Sequence, residues 1–310
     1  MIHNIAIIFI SIFFESLPFL ILGSLISSVI EEYITDEKLA KMIPKNVVLG
    51  TLTGIFLGFF IPACDCAVIP VSKRLLKKKV PINVAVSFML ASPIINPVVL
   101  LSTYYAFYNT NKDIFYFRII FGILISFLVG IIMGIIFRKQ NVITNNIECN
   151  CRDELIDLEE ENHCHCHSHH HEENKFVSII KHATYDLFEV VKYLMFGALI
   201  ASIIQAGLNR SILLIFNNNE TLSIITLMIF AYLISLCSTS DSFVGKSLLS
   251  SFTKSSILAY LLLGPMIDIK NTFVLLGNYN KKFVLTLISV IFIIVFIFSY
   301  MVVIIWKRSF

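Results

Sequence analysis

The sequence predicts an all-α polytopic membrane protein of about eight transmembrane helices, in two repeated four-helix halves joined by a His/Cys-rich cytoplasmic linker. Three observations carry this. Of the 310 residues 57% are apolar and only 15% charged, against about 25% charged in soluble domains. The charges that exist punctuate long apolar runs. A pattern in the first run, Phe-Glu followed by spaced Leu, Gly and Ser, also returns in the fifth.

About 20 predominantly apolar residues span the hydrocarbon core as a helix. The candidate runs are 5–30, 47–61, 80–107, 114–137, 187–208, 221–237, 257–277 and 283–306. The first is not expected to be a cleaved signal, because no basic stretch precedes it and it continues past Glu15. This gives a first transmembrane repeat at 1–137, a linker at 138–183 and a second repeat at 184–310. The net charge of +3 is no pointer to nucleic acid, since the cations lie in short loops. With the N-terminus inside, the 73–79 cluster, the linker, Lys246, Lys254, Lys307 and Arg308 fall in the cytoplasm. Lys38, Lys41, Lys45, Lys112, Arg118, Arg210, Lys281 and Lys282 then fall outside. The excess of cations inside places both termini in the cytoplasm of a multi-pass cell-membrane protein.

Phe14-Glu15-x4-Leu20-x2-Gly23-x-Leu25-Ile26-x-Ser28-x-Ile30 recurs from Phe188 to Ile204, with eight identities in 17 positions at an offset of 174. Pro93-Ile94-Ile95-Asn96 is answered by Pro265-Met266-Ile267-Asp268. Four spans per half would return the chain to its starting side, so the repeats are expected to be parallel. Re-entrant short segments would change that count. Short or proline-interrupted segments at matching positions of two halves point to a transporter's binding site.

Three groups in the spans carry chemistry. Cys64, Asp65 and Cys66 lie between Pro62 and Pro70, where backbone at membrane depth stops being good helix; lipid tolerates that only beside protein or a water-filled cavity. Thiolates are soft ligands; a mono-organo arsenical has two exchangeable positions, which one Cys-x-Cys pair can fill. Cys237 from the other half offers a third thiol. The bland reading is that buried cysteines act as small apolar residues. Glu15 and Glu189 sit at matching positions; a charge at mid-membrane costs about 2.5–3.5 kcal/mol, so both are candidates for proton coupling. Lys192, three residues after Glu189, offers an internal ion pair instead. Asn96 and Asp268 would present polar atoms beside helix broken by Pro93, Pro97 and Pro265.

Outside the spans, Cys149, Cys151, His163, Cys164, His165, Cys166, His167, His169, His170 and His171 crowd into one tract. Imidazole and thiolate at this density bind zinc or a similar transition metal. No cofactor is expected for the core. The basic 73–79 cluster reads as a topology and headgroup anchor.

Pro62-x-Cys64-x-Cys66-x-Val68-Ile69-Pro70, Lys73-Arg74-Leu75-Leu76 and Ala91-Ser92-Pro93-Ile94-Ile95-Asn96-Pro97 together resemble the predicted permease family that includes the organoarsenical-efflux (ArsP-like) permeases. The resemblance implies an integral permease of the cytoplasmic membrane, not an enzyme, with Cys64 and Cys66 as ligands for trivalent organoarsenicals. Asp65 and Ala67 stand where the family pattern often has a small residue and a glycine. Three functions follow in order: efflux of a thiol-reactive metalloid such as methylarsenite; a permease for a divalent metal such as zinc, with Asp65, Asp241 and Asp268 as harder ligands; and a membrane thiol oxidoreductase. Besides the lipid bilayer and the small substrate, a protein partner or a homo-oligomer is left open.

Overall fold

The computed structural model describes residues 2–33, 44, 46–61, 64–108, 111–138, 140–143, 175–207 and 219–308. These residues form helices α1 (Ile2–Tyr33), α2 (Val47–Phe60), α3 (Asp65–Lys77), α4 (Ile82–Ile95), α5 (Pro97–Phe107) and α6 (Lys112–Ile136). They continue as α7 (Lys175–Gly207), α8 (Glu220–Ile234), α9 (Ser238–Leu248), α10 (Lys254–Met266), α11 (Ile269–Asn278) and α12 (Lys281–Arg308). No strand occurs among the described residues, only an isolated bridge between Ile143 and Tyr279. The tract 149–171, Pro62 and the cations Lys38, Lys41, Lys45 and Arg210 lie outside the described residues.

Among the described residues six segments are long and apolar enough to cross a bilayer: His3–Val29, Ile82–Phe107, Lys112–Ile136, Ile179–Gly207, Lys254–Asn278 and Lys281–Trp306. Val47–Phe60 and Glu220–Ile234 are apolar but shorter. Phe14, Phe56, Ile135, Phe188 and Leu285 stand exposed on their helices, as lipid-facing residues do. This is a polytopic helical membrane protein.

Helix directions follow from paired contacts. Gly50 meets Asn83 and Gly58 meets Ser92, so α2 and α4 run parallel. They pack closely because Gly50, Gly54 and Gly58 recur every fourth residue on one face, the small-residue pattern that lets membrane helices touch. The short turn 78–81 folds α3 back against α4, where Ser72 reaches Met89 at 3.8 Å. Hence α2 and α3 form a hairpin that enters from one side and returns to it. In the second half Ser223 meets Ser256 and Ala231 lies near Gly264, so α8 and α10 are also parallel. Asp241 meets Tyr260 and Gly245 meets Leu261 and Ile257, which turns α9 back into a second hairpin.

The two halves oppose each other. Ile12 packs with Ala198 and Ala201, whereas Ser27 bonds Asp186, so α1 and α7 are antiparallel. The α6–α12 ring pairs Phe117–Trp306, Phe121–Phe298 and Phe137–Phe283 give the same relation. The parallel arrangement expected from four spans per half is not what the helices adopt. Each short apolar helix turns back instead of crossing, so α1 and α7 start on opposite sides. One side carries Tyr33, the ends of α3 and α6, and the start of α7. Both chain ends lie on the other. Three backbone details fix the interior. α4 and α5 break at Asn96-Pro97, while Pro93 stays within the last turn of α4; Pro97 begins α5, where its missing N–H costs nothing. Ser235, at the tip of the second hairpin, takes the left-handed φ of 51°, rare without glycine.

Candidate functional site

The tips of both hairpins meet the break between α10 and α11, within the span Lys254–Asn278. Cys64 caps α3, and its carbonyl accepts from the Ala67 and Val68 amides. Asp65 follows in the first turn and accepts from the Ser238 hydroxyl at 3.0 Å, which joins the two hairpin tips. The Cys66 thiol donates to Asn271 Oδ1 at 3.4 Å. Asp268 caps α11 by accepting from the Asn271 amide at 2.6 Å. Its other oxygen lies 3.6 Å from Lys270 Nζ. The Lys270 amide donates to the Ser235 hydroxyl at 3.4 Å, which ties the strained tip to α11. Thus α3, α9 and α11 all begin here, and a helix start is the positive end of its dipole.

Two matched glycines set the depth of this site. A Cβ on Gly23 would lie 2.6 Å from Ala67 Cβ, and one on Gly197 would lie 2.9 Å from the Lys270 carbonyl oxygen. Bare backbone lets α1 back the thiol turn and α7 back the lysine turn.

Next to the thiol turn sits Arg118, with no exposed surface. It donates to Thr103 Oγ1 at 2.7 Å, Ser242 Oγ at 2.8 Å and the Ser238 carbonyl at 3.4 Å. Asp241 accepts from the Tyr260 hydroxyl at 2.9 Å, and its other oxygen has no hydrogen-bond partner.

Comparison with known proteins places the sequence. Residues 1–304 match the family model described as "Predicted permease". The chain belongs to this permease family. Among curated relatives, the permease is 38% identical over 288 residues to the UPF0718 protein YcgR of Bacillus subtilis, with 93% of each chain covered. It is 35% identical over 295 residues to a Streptococcus mutans protein named "Putative two-component membrane permease complex subunit", covering 95% of this chain and 93% of that one. A UPF0718 protein of Methanocaldococcus jannaschii is 28% identical over 113 residues, 33% of this chain and 30% of that one. No solved structure matches.

The permease brings together only part of the residue set singled out from sequence. Cys64, Asp65, Cys66 and Asp268 converge. The Cys237 thiol pairs with Thr239 at 3.4 Å, and its neighbour Ser238 makes the contact to Asp65. Asn96 caps α5, accepting from the Val98 amide at 3.0 Å. Glu15 is exposed on α1 and meets the Ser240 hydroxyl at 3.4 Å. Glu189 pairs not with Lys192 but with Lys73, at 2.7 and 2.9 Å. Lys73 also donates to Asn278, and Arg74 grips both oxygens of Asp186. Lys73 and Arg74 therefore clamp α3 to α7 and α11 rather than lying among headgroups. Sequence reading placed Arg118 outside and passed over Lys270. The missed signal was a cation inside an apolar run, which is expensive unless it faces partners in the interior.

Proposed function

We propose that this permease carries a thiol-reactive metalloid such as methylarsenite out of the cell by secondary transport through the cytoplasmic membrane, with Cys64 and Cys66 as exchanging ligands. The observation that supports it is two free thiols one residue apart, at the cap and in the first turn of the helix that forms a re-entrant hairpin tip. The capture step balances without redox chemistry. Two As–O bonds of the dihydroxy species break, two As–S bonds form, and two waters leave with the thiol protons. The reverse hydrolysis releases the cargo. The divalent-metal reading has less support, because no three His, Cys, Asp or Glu side chains among the described residues are grouped to hold a metal ion. The oxidoreductase reading gains nothing, since a one-residue spacing is not the Cys-x-x-Cys of redox motifs.

We also read the two halves as an inverted duplication, the arrangement in which rocking of one repeat against the other alternates access to a midplane site. The side bearing Lys77, Lys78, Lys79, Arg138, Lys281 and Lys282 is then cytoplasmic by the positive-inside rule, with the ends of 144–174 on that side. Both termini accordingly face outward, a revision of the cytoplasmic placement expected from four spans per half. The name of the S. mutans relative adds the proposal that a second subunit completes the transporter.

Everted membrane vesicles test the substrate. Wild type should accumulate methylarsenite, and the Cys64→Ser/Cys66→Ser double variant should fall to the level of vesicles lacking the protein. Absence of uptake by wild type would sink the organoarsenical reading.

A further inference from the structure

We propose that Asp241 binds the coupling proton of this permease and is the group through which cargo movement is tied to a proton gradient. This deepens the efflux reading above and rests on it for the cargo alone.

Capture of a dihydroxy metalloid by two thiols releases water and changes neither net charge nor proton count. The thiol turn by itself therefore cannot link transport to a gradient, and a separate titrating group is needed. Carboxyls inside the membrane are the usual proton relays. Glu189 is committed to Lys73, and Glu15 is exposed. Asp268 keeps one oxygen without a hydrogen bond, yet that oxygen lies 3.6 Å from Lys270 Nζ. Asp241, 2% exposed, lacks both kinds of support. Its hydrogen bond is from the Tyr260 hydroxyl to Oδ1 at 2.9 Å, and Oδ2 has no partner. A Cβ on Gly264 would stand 2.8 Å from Oδ2, so that oxygen faces an α-carbon rather than a donor. A buried carboxylate charge is expensive unless paired and hydrogen-bonded, and this arrangement suits the neutral acid.

A partner for the ionised form lies close by. Arg118 donates to the Ser242 hydroxyl and the Ser238 carbonyl and keeps Nε without a partner. Those serines stand three residues before and one after Asp241, and residues three and four apart share a helical face. Guanidinium and carboxyl thus lie against one face of α9 without bonding to each other. When the Asp241 O–H bond breaks and the proton passes to water, the carboxylate turns from Tyr260 toward Arg118 Nε; reprotonation restores the Tyr260 bond. Ser238 carries the change to the thiol turn, since its carbonyl accepts from Arg118 while its hydroxyl donates to Asp65. Helix α5 presents only the Ser102 and Thr103 hydroxyls to Ser242. Asp268 and Lys270 lie beyond Asp65 at the start of α11, Lys246 is exposed on α9 itself, and Glu15 of α1 meets Ser240.

The test has two arms, and the first needs no cargo. Infrared difference spectra of the purified full chain in detergent read the carbonyl band of protonated carboxyls, in buffers where exposed carboxyls are already ionised. Wild type should show a band that fades as the buffer turns alkaline, and Asp241→Asn should lack it. The same fading band in both proteins, or none in wild type, overturns the proposal. Should Asp241→Asn lose its monodisperse elution, Asp241→Glu serves instead, because a longer acid moves the band; an unmoved band then counts against Asp241. The second arm uses everted vesicles that generate a gradient, acid inside. Wild type should accumulate methylarsenite, and a protonophore should abolish the accumulation. Asp241→Asn should lose gradient-driven accumulation yet keep counterflow of labelled against unlabelled methylarsenite, which needs no net proton movement. Asp241→Glu, which keeps a carboxyl, should recover accumulation. Accumulation by Asp241→Asn equal to that of wild type overturns the proposal. Loss of counterflow together with accumulation does so too, since it marks a structural residue. Wild type that titrates in the infrared but takes up no methylarsenite defeats the cargo reading instead, with the proton site upheld by the first arm.

Discussion

Gly23 and Gly197 occupy the same place in the repeated Phe-Glu-x4-Leu-x2-Gly pattern, and each touches the backbone of a site residue or its neighbour. For Gly23 the nearest atoms to an added Cβ are Ala67 Cβ at 2.6 Å and Ala67 Cα at 2.9 Å. Neither belongs to a flexible side-chain end, so α1 and α3 must separate. Gly23→Ala should therefore destabilise the protein by about 1–3 kcal/mol, the usual cost of overpacking, and should speed alkylation of Cys66. Thermal unfolding in detergent and the alkylation rate check the two effects. Gly207 is the control, because nothing lies within 4 Å of a Cβ there; Gly207→Ala should leave both readings unchanged. Sequence comparison exposed the repeated glycine but not its purpose. A glycine inside an apolar run is equally consistent with lipid contact, and only the neighbouring helix shows that bare backbone is required.

Helix α3 is held at its far end by charge. Lys73 bonds both Glu189 oxygens and Asn278, Arg74 grips Asp186, and Ser72 shares a 2.6 Å hydrogen bond with Tyr279. All these partners come from the second half. Lys73 and Glu189 are 12% and 25% exposed at the side chain, intermediate between a solvated pair and a fully buried one. Removing one member strands the other, and Lys73→Met should cost about 1–3 kcal/mol, somewhat below the fully buried case. The Lys73→Met/Glu189→Gln double variant should recover part of that loss, because it leaves no unpaired charge. A double-mutant cycle on thermal stability measures the coupling, and additive losses would show that the pair contributes no interaction of its own. Helical spacing offered Lys192 as the partner of Glu189, since residues three apart share a face. That rule sees one helix only. The actual partner is 116 positions away in sequence and reaches α7 because the hairpin turns α3 toward it, a fact of tertiary structure that no local pattern carries.

At the scale of the whole molecule the matching letters of α1 and α7 were legible and the relative direction of the two helices was not. The eight identities between α1 and α7 required only letter matching. Whether the halves are parallel depends on how many times each crosses the bilayer, and a 14-residue apolar helix such as α2 looks alike whether it crosses or turns back. The contacts of Ile12 with Ala198 and of Ser27 with Asp186 decide for opposition, giving three crossings and one hairpin per half. The two topologies pair the same four lysines differently. Three crossings place Lys77 with Lys281 on one face, and Lys112 with Lys246 on the other. Four crossings instead pair Lys77 with Lys246 and Lys112 with Lys281. Cysteines introduced singly at these positions, in a background with Cys149, Cys151, Cys164 and Cys166 replaced by serine, distinguish the two with a membrane-impermeant maleimide. Lys112→Cys and Lys246→Cys should label in intact cells, whereas Lys77→Cys and Lys281→Cys should label only in everted vesicles, because the side richer in cations stays in the cytoplasm. Labelling of Lys112→Cys and Lys281→Cys from the same face would restore the four-crossing count, and with it parallel halves whose hairpin tips could not meet as Ser238 and Asp65 do.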